Sequence, residues 1–235
     1  MAVIDISGFA PNSITDGPGL RFSVFCQGCV HHCPGCHNPE TQELSGGTKF
    51  SSDEIIEKAI RYKEYFGKDG GITVSGGEPL LQSEFVTELF SLCHGVGINT
   101  CLDTSGSVMN DSVRSLLEET DRVLLDIKYT DEEKYRKYVG CGINKPMEFL
   151  SYLNEKKIPV TLRQVIIPEL NGDEENIKRL RKIAEEHGSV DKTELLPFKK
   201  ICQVKYEKMG IDFPFADCET PDRDLMQRLN DLMKD

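Results

Sequence analysis

Gly70-Gly71-Ile72-Thr73-Val74-Ser75-Gly76-Gly77-Glu78-Pro79 is the stretch whose reading decides the fold. Two glycines break what precedes them, and the β-branched run Ile72-Thr73-Val74 reads as a short strand. That strand enters a turn of serine, two glycines and an acid, closed by proline. Upstream, Ser51 and Glu54 spell a capping box, and Ile55, Ile56, Ala59 and Ile60 continue an amphipathic helix to about Phe66. Downstream, a helix over 82–94 turns Phe85, Leu89 and Leu92 inward, stops at Gly95 and leads to a strand at Ile98–Leu102.

The same alternation continues outward in both directions. Residues 1–20 form a lead-in that ends in the tight loop Asp16-Gly17-Pro18-Gly19, and Phe22–Cys26 reads as a strand. A helix over 111–119 precedes a strand at Val123–Ile127, and helices near 131–139 and 145–156 precede a strand at Val160–Ile167. A helix over 173–187 precedes Lys192–Leu196, and Pro221 opens a final helix to about Met233. Strands alternating with helices imply an α/β fold, a parallel sheet with helices outside it. Six such units suit a partial (β/α)6 barrel, although periodicity alone also fits a doubly wound sheet. At 235 residues, with no repeat, linker or low-complexity tract, one domain over 1–235 is expected.

Such folds bind ligands at the C-terminal edge of the sheet. Glu78, Asp103 with Thr104, Asp126 with Lys128, and Lys199 all fall there. Any one of them reads as a loop or cap residue; their recurrence at successive strand ends points to a shared site. The glycines of the Gly76-Gly77 turn leave bare backbone carbonyls that can accept from an ammonium group.

The strand at Phe22–Cys26 delivers the chain into Cys29-Val30-His31-His32-Cys33-Pro34-Gly35-Cys36. Three thiols within eight residues form a soft donor set, suited to an iron–sulfur cluster, zinc or copper(I). Three cysteines on a [4Fe–4S] cube would leave one iron open. A zinc knuckle would take its fourth ligand from His31, His32, His37 or Cys26. Cys26 shares a strand face with Phe22 and Val24 and reads as a core residue.

Composition sets further bounds. The net charge of −11 argues against a nucleic-acid partner, and no apolar run reaches the ~20 residues needed to span a bilayer. Nine cysteines without a disulfide-scaffold pattern, and an N-terminus without a signal-peptide pattern, make the cytoplasm the expected compartment.

These motifs together carry a resemblance. Asp16-Gly17-Pro18-Gly19-Leu20-Arg21, the CxxxCxxC triplet followed by His37-Asn38, and Ser75-Gly76-Gly77-Glu78-Pro79 resemble the radical S-adenosylmethionine (SAM) enzymes. With Cys101–Thr104, Leu125–Lys128 and Leu195–Pro197, nearly the whole chain is similar to the glycyl-radical enzyme activases of the pyruvate formate-lyase type.

The resemblance implies a radical SAM core built as a partial TIM-like barrel. It implies a [4Fe–4S] cluster on Cys29, Cys33 and Cys36, with SAM chelating the open iron. Reductive cleavage would give a 5′-deoxyadenosyl radical that removes a hydrogen from a glycine of pyruvate formate-lyase. Gly76, Gly77 and Glu78 would lie at the SAM amino group, and Lys128 would face its carboxylate. Gly35, Cys36, His37, Asp126, Ile127 and Lys199 would line the rest of the cofactor. A monovalent cation, sodium or potassium, would be held by Asp103, Thr104, Asp126 and the backbone at Leu124. Asp16 would contact the glycine-bearing loop of the partner, and flavodoxin or ferredoxin would donate the electron to a monomeric enzyme. Gly35 stands where many relatives carry an aromatic residue, and Lys199 where the resembled enzymes have a histidine.

Two rival classes remain at this level: an electron carrier ligated by Cys26, Cys29, Cys33 and Cys36, and a zinc-knuckle module. Both leave Gly-Gly-Glu-Pro and Lys128 without a purpose. Activases of other glycyl-radical enzymes often carry extra cysteine clusters after the first motif; none occurs between Cys36 and Gly76. That favours pyruvate formate-lyase as the partner.

Overall fold

The computed structural model describes residues 3–234. Its strands are β1 (Val3–Ser13), β2 (Arg21–Cys26), β3 (Thr48–Ser51), β4 (Gly71–Gly76), β5 (Asn99–Thr104), β6 (Arg122–Asp126), β7 (Val160–Ile166) and β8 (Val190–Pro197). Its α-helices are α1 (Ser52–Ile60), α2 (Ser83–Gly95), α3 (Asp111–Glu118), α4 (Glu132–Val139), α5 (Asn144–Lys156), α6 (Pro168–Asn171), α7 (Glu174–Glu185), α8 (Gln203–Met209) and α9 (Arg223–Leu232). Among the described residues, no helix is long and apolar enough to cross a membrane.

The sheet order is β3-β1-β2-β4-β5-β6-β7-β8. From β2 onward the order never reverses, whereas a doubly wound sheet must reverse beside its first strand. The β2–β4, β4–β5 and β7–β8 pairs are parallel. This is the partial TIM-like α/β core of six β/α units that the alternation implied. The expected lead-in over 1–20 is a correction: β1 occupies most of it, antiparallel to both β2 and β3.

The chain divides into two compact units, residues 1–30 with 41–124, and 31–40 with 125–235. In the first, Ser51 and Glu54 form the expected capping box, and α1 ends at Ile60, short of Phe66, with a 3-10 turn at Lys63–Tyr65 following. Helix α2 buries Phe85, Val86, Leu89, Phe90 and Cys93; Leu92, expected inward, is only half-buried. These side chains and Val113, Leu116 and Leu117 of α3 join Ile72, Val74, Cys101 and Leu102 in the buried core. Arg21, wholly buried at the start of β2, donates to Thr73 Oγ1 (3.0 Å), to Asn99 Oδ1 (2.9 Å) and to the Asp69 and Ile72 carbonyls.

In the second unit Asp131, Asp173 and Asp222 cap α4, α7 and α9. Its core includes Ile167, Phe198, Cys202, Tyr206, Phe213 and Phe215, and a second cluster of Tyr129, Tyr135 and Val139 against which Cys33 packs.

Candidate radical SAM site

In the first unit, the end of β2 and the turn after β4 are laced together. Gly77 N donates to Cys26 O (2.9 Å), Glu78 N to Gly28 O (2.8 Å), and Gly28 N to Thr41 O (2.9 Å). A Cβ on Gly76 would lie 2.4 Å from Cys26 N, and one on Gly77 would lie 2.0 Å from Gly28 O. The two glycines are therefore demanded by backbone approach within the protein, whatever the turn also binds. Cys29, half-buried, follows directly, its N–H donating to Gln42 O (3.3 Å).

Glu78 is almost fully buried, and its carboxylate is filled by protein donors. Oε1 accepts from Leu80 N (3.2 Å) and Thr104 Oγ1 (2.5 Å); Oε2 accepts from Ser105 N (3.0 Å) and Ser105 Oγ (2.5 Å). It braces the turn after β4 against the end of β5. Asp103 Oδ2 accepts from Ser75 Oγ (2.8 Å), and the Leu124 side chain is buried in the core. Half-buried Asp16 accepts from Ser23 Oγ (2.6 Å), and its carbonyl accepts from Thr73 Oγ1 (2.7 Å). Cys26 is 1 % exposed, and burial, with the Glu78 charge adding to it, pushes its thiol up to about 12. Its near-complete burial makes this thiol a core residue.

In the second unit, Cys33-Pro34-Gly35-Cys36 is a tight turn closed by Cys36 N to Cys33 O (3.1 Å). Both thiols are free and half-buried. Burial pushes Cys33 up to about 11, with Lys128 pulling the other way, and raises Cys36 as well. Without a metal, both are protonated at neutral pH, so loading must release protons. His31 Nδ1 bonds Val139 O (3.0 Å), which ties this ring to the end of α4, and His32 is exposed. His37 Nε2 bonds Lys199 O (3.2 Å), and burial lowers its pKa. The Lys199 side chain itself is exposed.

Three supports of this turn escaped the sequence reading. Tyr206 OH donates toward Cys36 O (3.2 Å) and Pro34 O (3.4 Å), and Lys205 Nζ donates to Asn38 Oδ1 (2.8 Å) and Glu40 Oε1 (2.5 Å). Phe215 covers Gly35 so closely that an added Cβ would meet its ring at 3.0 Å. An aromatic ring brought from 180 positions away thus explains why the residue before Cys36 is glycine.

At the end of β6, Asp126 Oδ2 accepts from Lys128 Nζ (2.6 Å) and Oδ1 from Arg163 Nε (3.0 Å). Burial opposes its charge, but Arg163 and Lys128 outweigh that and hold the carboxyl at about 2. Both oxygens of Asp126 therefore already hold cations that the protein supplies itself. A buried amide network fixes the backbone here: Gln164 Nε2 donates to Ile127 O (3.0 Å), Asn176 Nδ2 to Gln164 Oε1 (2.7 Å), and Thr130 Oγ1 to Asn176 Oδ1 (2.7 Å). Among the described residues, no three His, Cys, Asp or Glu side chains are gathered as a ready metal site. The donor chemistry nevertheless fits a thiolate-bound cluster: three accessible thiols in one short stretch, none in a disulfide, and the rival fourth thiol buried.

The model of the radical SAM superfamily matches residues 23–181. The pyruvate formate-lyase-activating enzyme of Clostridium pasteurianum is 39 % identical over 223 residues, spanning 94 % of this chain and 93 % of that one. The chain belongs to the radical SAM superfamily, among its pyruvate formate-lyase-activating enzymes. Pyruvate formate-lyase 1-activating enzyme of Escherichia coli K12 is 35 % identical over 238 residues, covering 100 % and 97 % of the two chains. Among solved structures, Streptococcus suis SuiB bound to S-adenosylmethionine matches with a TM-score of 0.67 at 17 % identity. That match covers 88 % of this chain and 44 % of SuiB, and it speaks to a shared fold alone.

Proposed function

We propose that this radical SAM enzyme activates pyruvate formate-lyase by generating its glycyl radical, acting as one cytoplasmic domain. The observation that carries the reading is identity of 35–39 % over nearly the whole chain to relatives that bear that name, joined to the intact CxxxCxxC stretch. Cys29, Cys33 and Cys36 would hold a [4Fe–4S] cluster, with Cys26 left in the core. When bound, the cluster and S-adenosylmethionine supply one-electron reductive cleavage and the radical that takes the glycine hydrogen.

The chain's own residues bind, orient and exclude water. The backbone of Gly76 and Gly77 would accept from the SAM ammonium, with Glu78 holding that turn in place. Lys128 would face the SAM carboxylate, its Nζ oriented by Asp126, while Gly35, Cys36 and His37 would lie along the adenosine, Ile127 would line the SAM pocket and Lys199 would donate to a ribose hydroxyl. Asp103, Thr104 and the Leu124 carbonyl would be oxygen donors to a hard monovalent cation, and Asp126 would join them through oxygen lone pairs that Lys128 and Arg163 leave. Asp16 would meet the partner's glycine-bearing loop. A flavodoxin or ferredoxin would supply the electron to a monomeric enzyme.

The test mixes anaerobically reconstituted, reduced protein with S-adenosylmethionine and pyruvate formate-lyase. Electron paramagnetic resonance reads the glycyl doublet, and 5′-deoxyadenosine is assayed from the same tube. A doublet is expected. Deoxyadenosine without a doublet would reject pyruvate formate-lyase as partner, and neither signal from a cluster-loaded protein would reject the enzyme reading.

A further inference from the structure

Helix α8 and the 3-10 turn before it, Lys200–Cys202, carry lysines and exposed apolar side chains together. Lys199, Lys200, Lys205 and Lys208 fall within ten residues that hold a single acid, Glu207, in a protein of net charge −11. Among them Ile201 is 72 % exposed and Val204 53 %, with Met209 and Ile211 exposed beyond. Of eleven exposed large apolar side chains among the described residues, these four lie within eleven positions. Ile201, Val204 and Lys208, spaced by three and four, share the outer side of the turn and helix. Scattered exposed hydrophobes need no explanation; a group of them with a polar rim marks an interaction surface, and here Lys199, Lys200 and Lys208 remain beside it after Lys205 pairs with Glu40, against Glu207 and Asp212.

The inner side of the same element touches the cysteine turn. Tyr206, two residues from Val204, reaches the carbonyls of Cys36 and Pro34, and Lys205 holds Asn38 and Glu40. Ile201 and Val204 thus lie on the side of the element opposite the Tyr206 contact with the Cys36 loop.

We infer that this face docks a small acidic electron-carrier protein. The inference rests on the proposed function, which needs one electron from outside the chain. Lysines around an apolar centre complement a carboxylate-rimmed surface and steer its encounter. Electron-transfer encounters are weak and use small interfaces, which suits a strip of this size. The carrier loses one electron at its own redox centre, and the group bound by the cysteine thiolates gains it. No bond forms or breaks in that step.

The test uses the reconstituted full chain and a Lys208→Glu/Ile201→Ser double variant. Photoreduced flavodoxin is the probe, and stopped-flow bleaching of the cluster absorbance is the readout. Reduction by flavodoxin is expected to slow roughly tenfold at low salt. The advantage of the unsubstituted protein should shrink as ionic strength rises. Reduction by dithionite should be unchanged. An unchanged flavodoxin rate overturns the proposal. So does an equal slowing with dithionite, which would mean the cysteine turn is damaged. Glycyl-radical yield with a chemical reductant is measured alongside; its loss, with flavodoxin reduction intact, would make this the docking face of the substrate protein instead. Should the unsubstituted chain accept electrons from flavodoxin yet never activate pyruvate formate-lyase, the functional reading fails while the docking face stands.

Discussion

At the scale of single residues, chemistry divides the cysteines more sharply than spacing does. Cys26 and Cys33 sit seven positions apart, yet one is sealed in the core and the other half-exposed on a turn. Cys26→Ala should keep the iron content and visible absorbance of the reconstituted protein, at a packing cost of about 1–2 kcal/mol. Cys33→Ala should abolish both. Iron and sulfide analysis decides it, and loss of the cluster in Cys26→Ala would restore the four-cysteine carrier. The three ligand candidates were legible because residue type and spacing carry the signal. Phe215 was not, because no local pattern links it to Gly35. With Phe215 in place, Gly35→Tyr should destabilise the fold by overpacking, and Phe215→Gly alone should leave a void. The double variant should recover at least about 1 kcal/mol of the summed losses, read from denaturant midpoints. Strict additivity would mean the two residues do not share that space.

Elements were legible where period and caps agreed, as in α1, α2 and the strands β4 to β8. They were illegible where a strand breaks its own pattern. β1 contains Gly8, Pro11 and Asn12, and its pairing to β2 slips between Ile6 and Gly8 and again between Ala10 and Ser13. Proline and a left-handed asparagine (φ 66°) read locally as a loop, yet irregular pairing accommodates both. The brace around residues 127–130 was equally hidden: Gln164, Asn171 and Asn176 look like ordinary polar positions until β7, α6 and α7 bring them together. Asn176 Nδ2 also donates to Asn171 O (2.9 Å). Asn176→Leu strands the Thr130 hydroxyl and the Gln164 amide oxygen, so it should cost about 1–3 kcal/mol. Urea titration measures this. A neutral result would show that the network contributes nothing to holding the Ile127–Lys128 backbone.

On the scale of the whole molecule, the pH dependence of folding should report the ion group at Asp126. Its carboxyl is held at about 2, below the ordinary carboxylate value, because Arg163 and Lys128 together outweigh the cost of burying it. A depressed carboxylate stabilises the folded chain fully above its unfolded pKa, near 4, and loses that contribution as pH falls toward 2. The pH-dependent part amounts to about 2 kcal/mol. Asp126→Asn removes the titrating group and leaves Arg163, itself nearly buried, without its carboxylate. The gap in unfolding free energy between the unsubstituted chain and Asp126→Asn should therefore be constant from pH 7 to about 5 and narrow by about 2 kcal/mol on approaching pH 2. Other carboxylates titrate in both proteins and cancel in the difference, so the comparison isolates this site within a chain that carries 39 acidic residues. A gap that stays constant down to pH 2 would mean that Asp126 titrates alike in the folded and unfolded chain. The paired geometry with Lys128 and Arg163 would then lend the folded molecule no net stability.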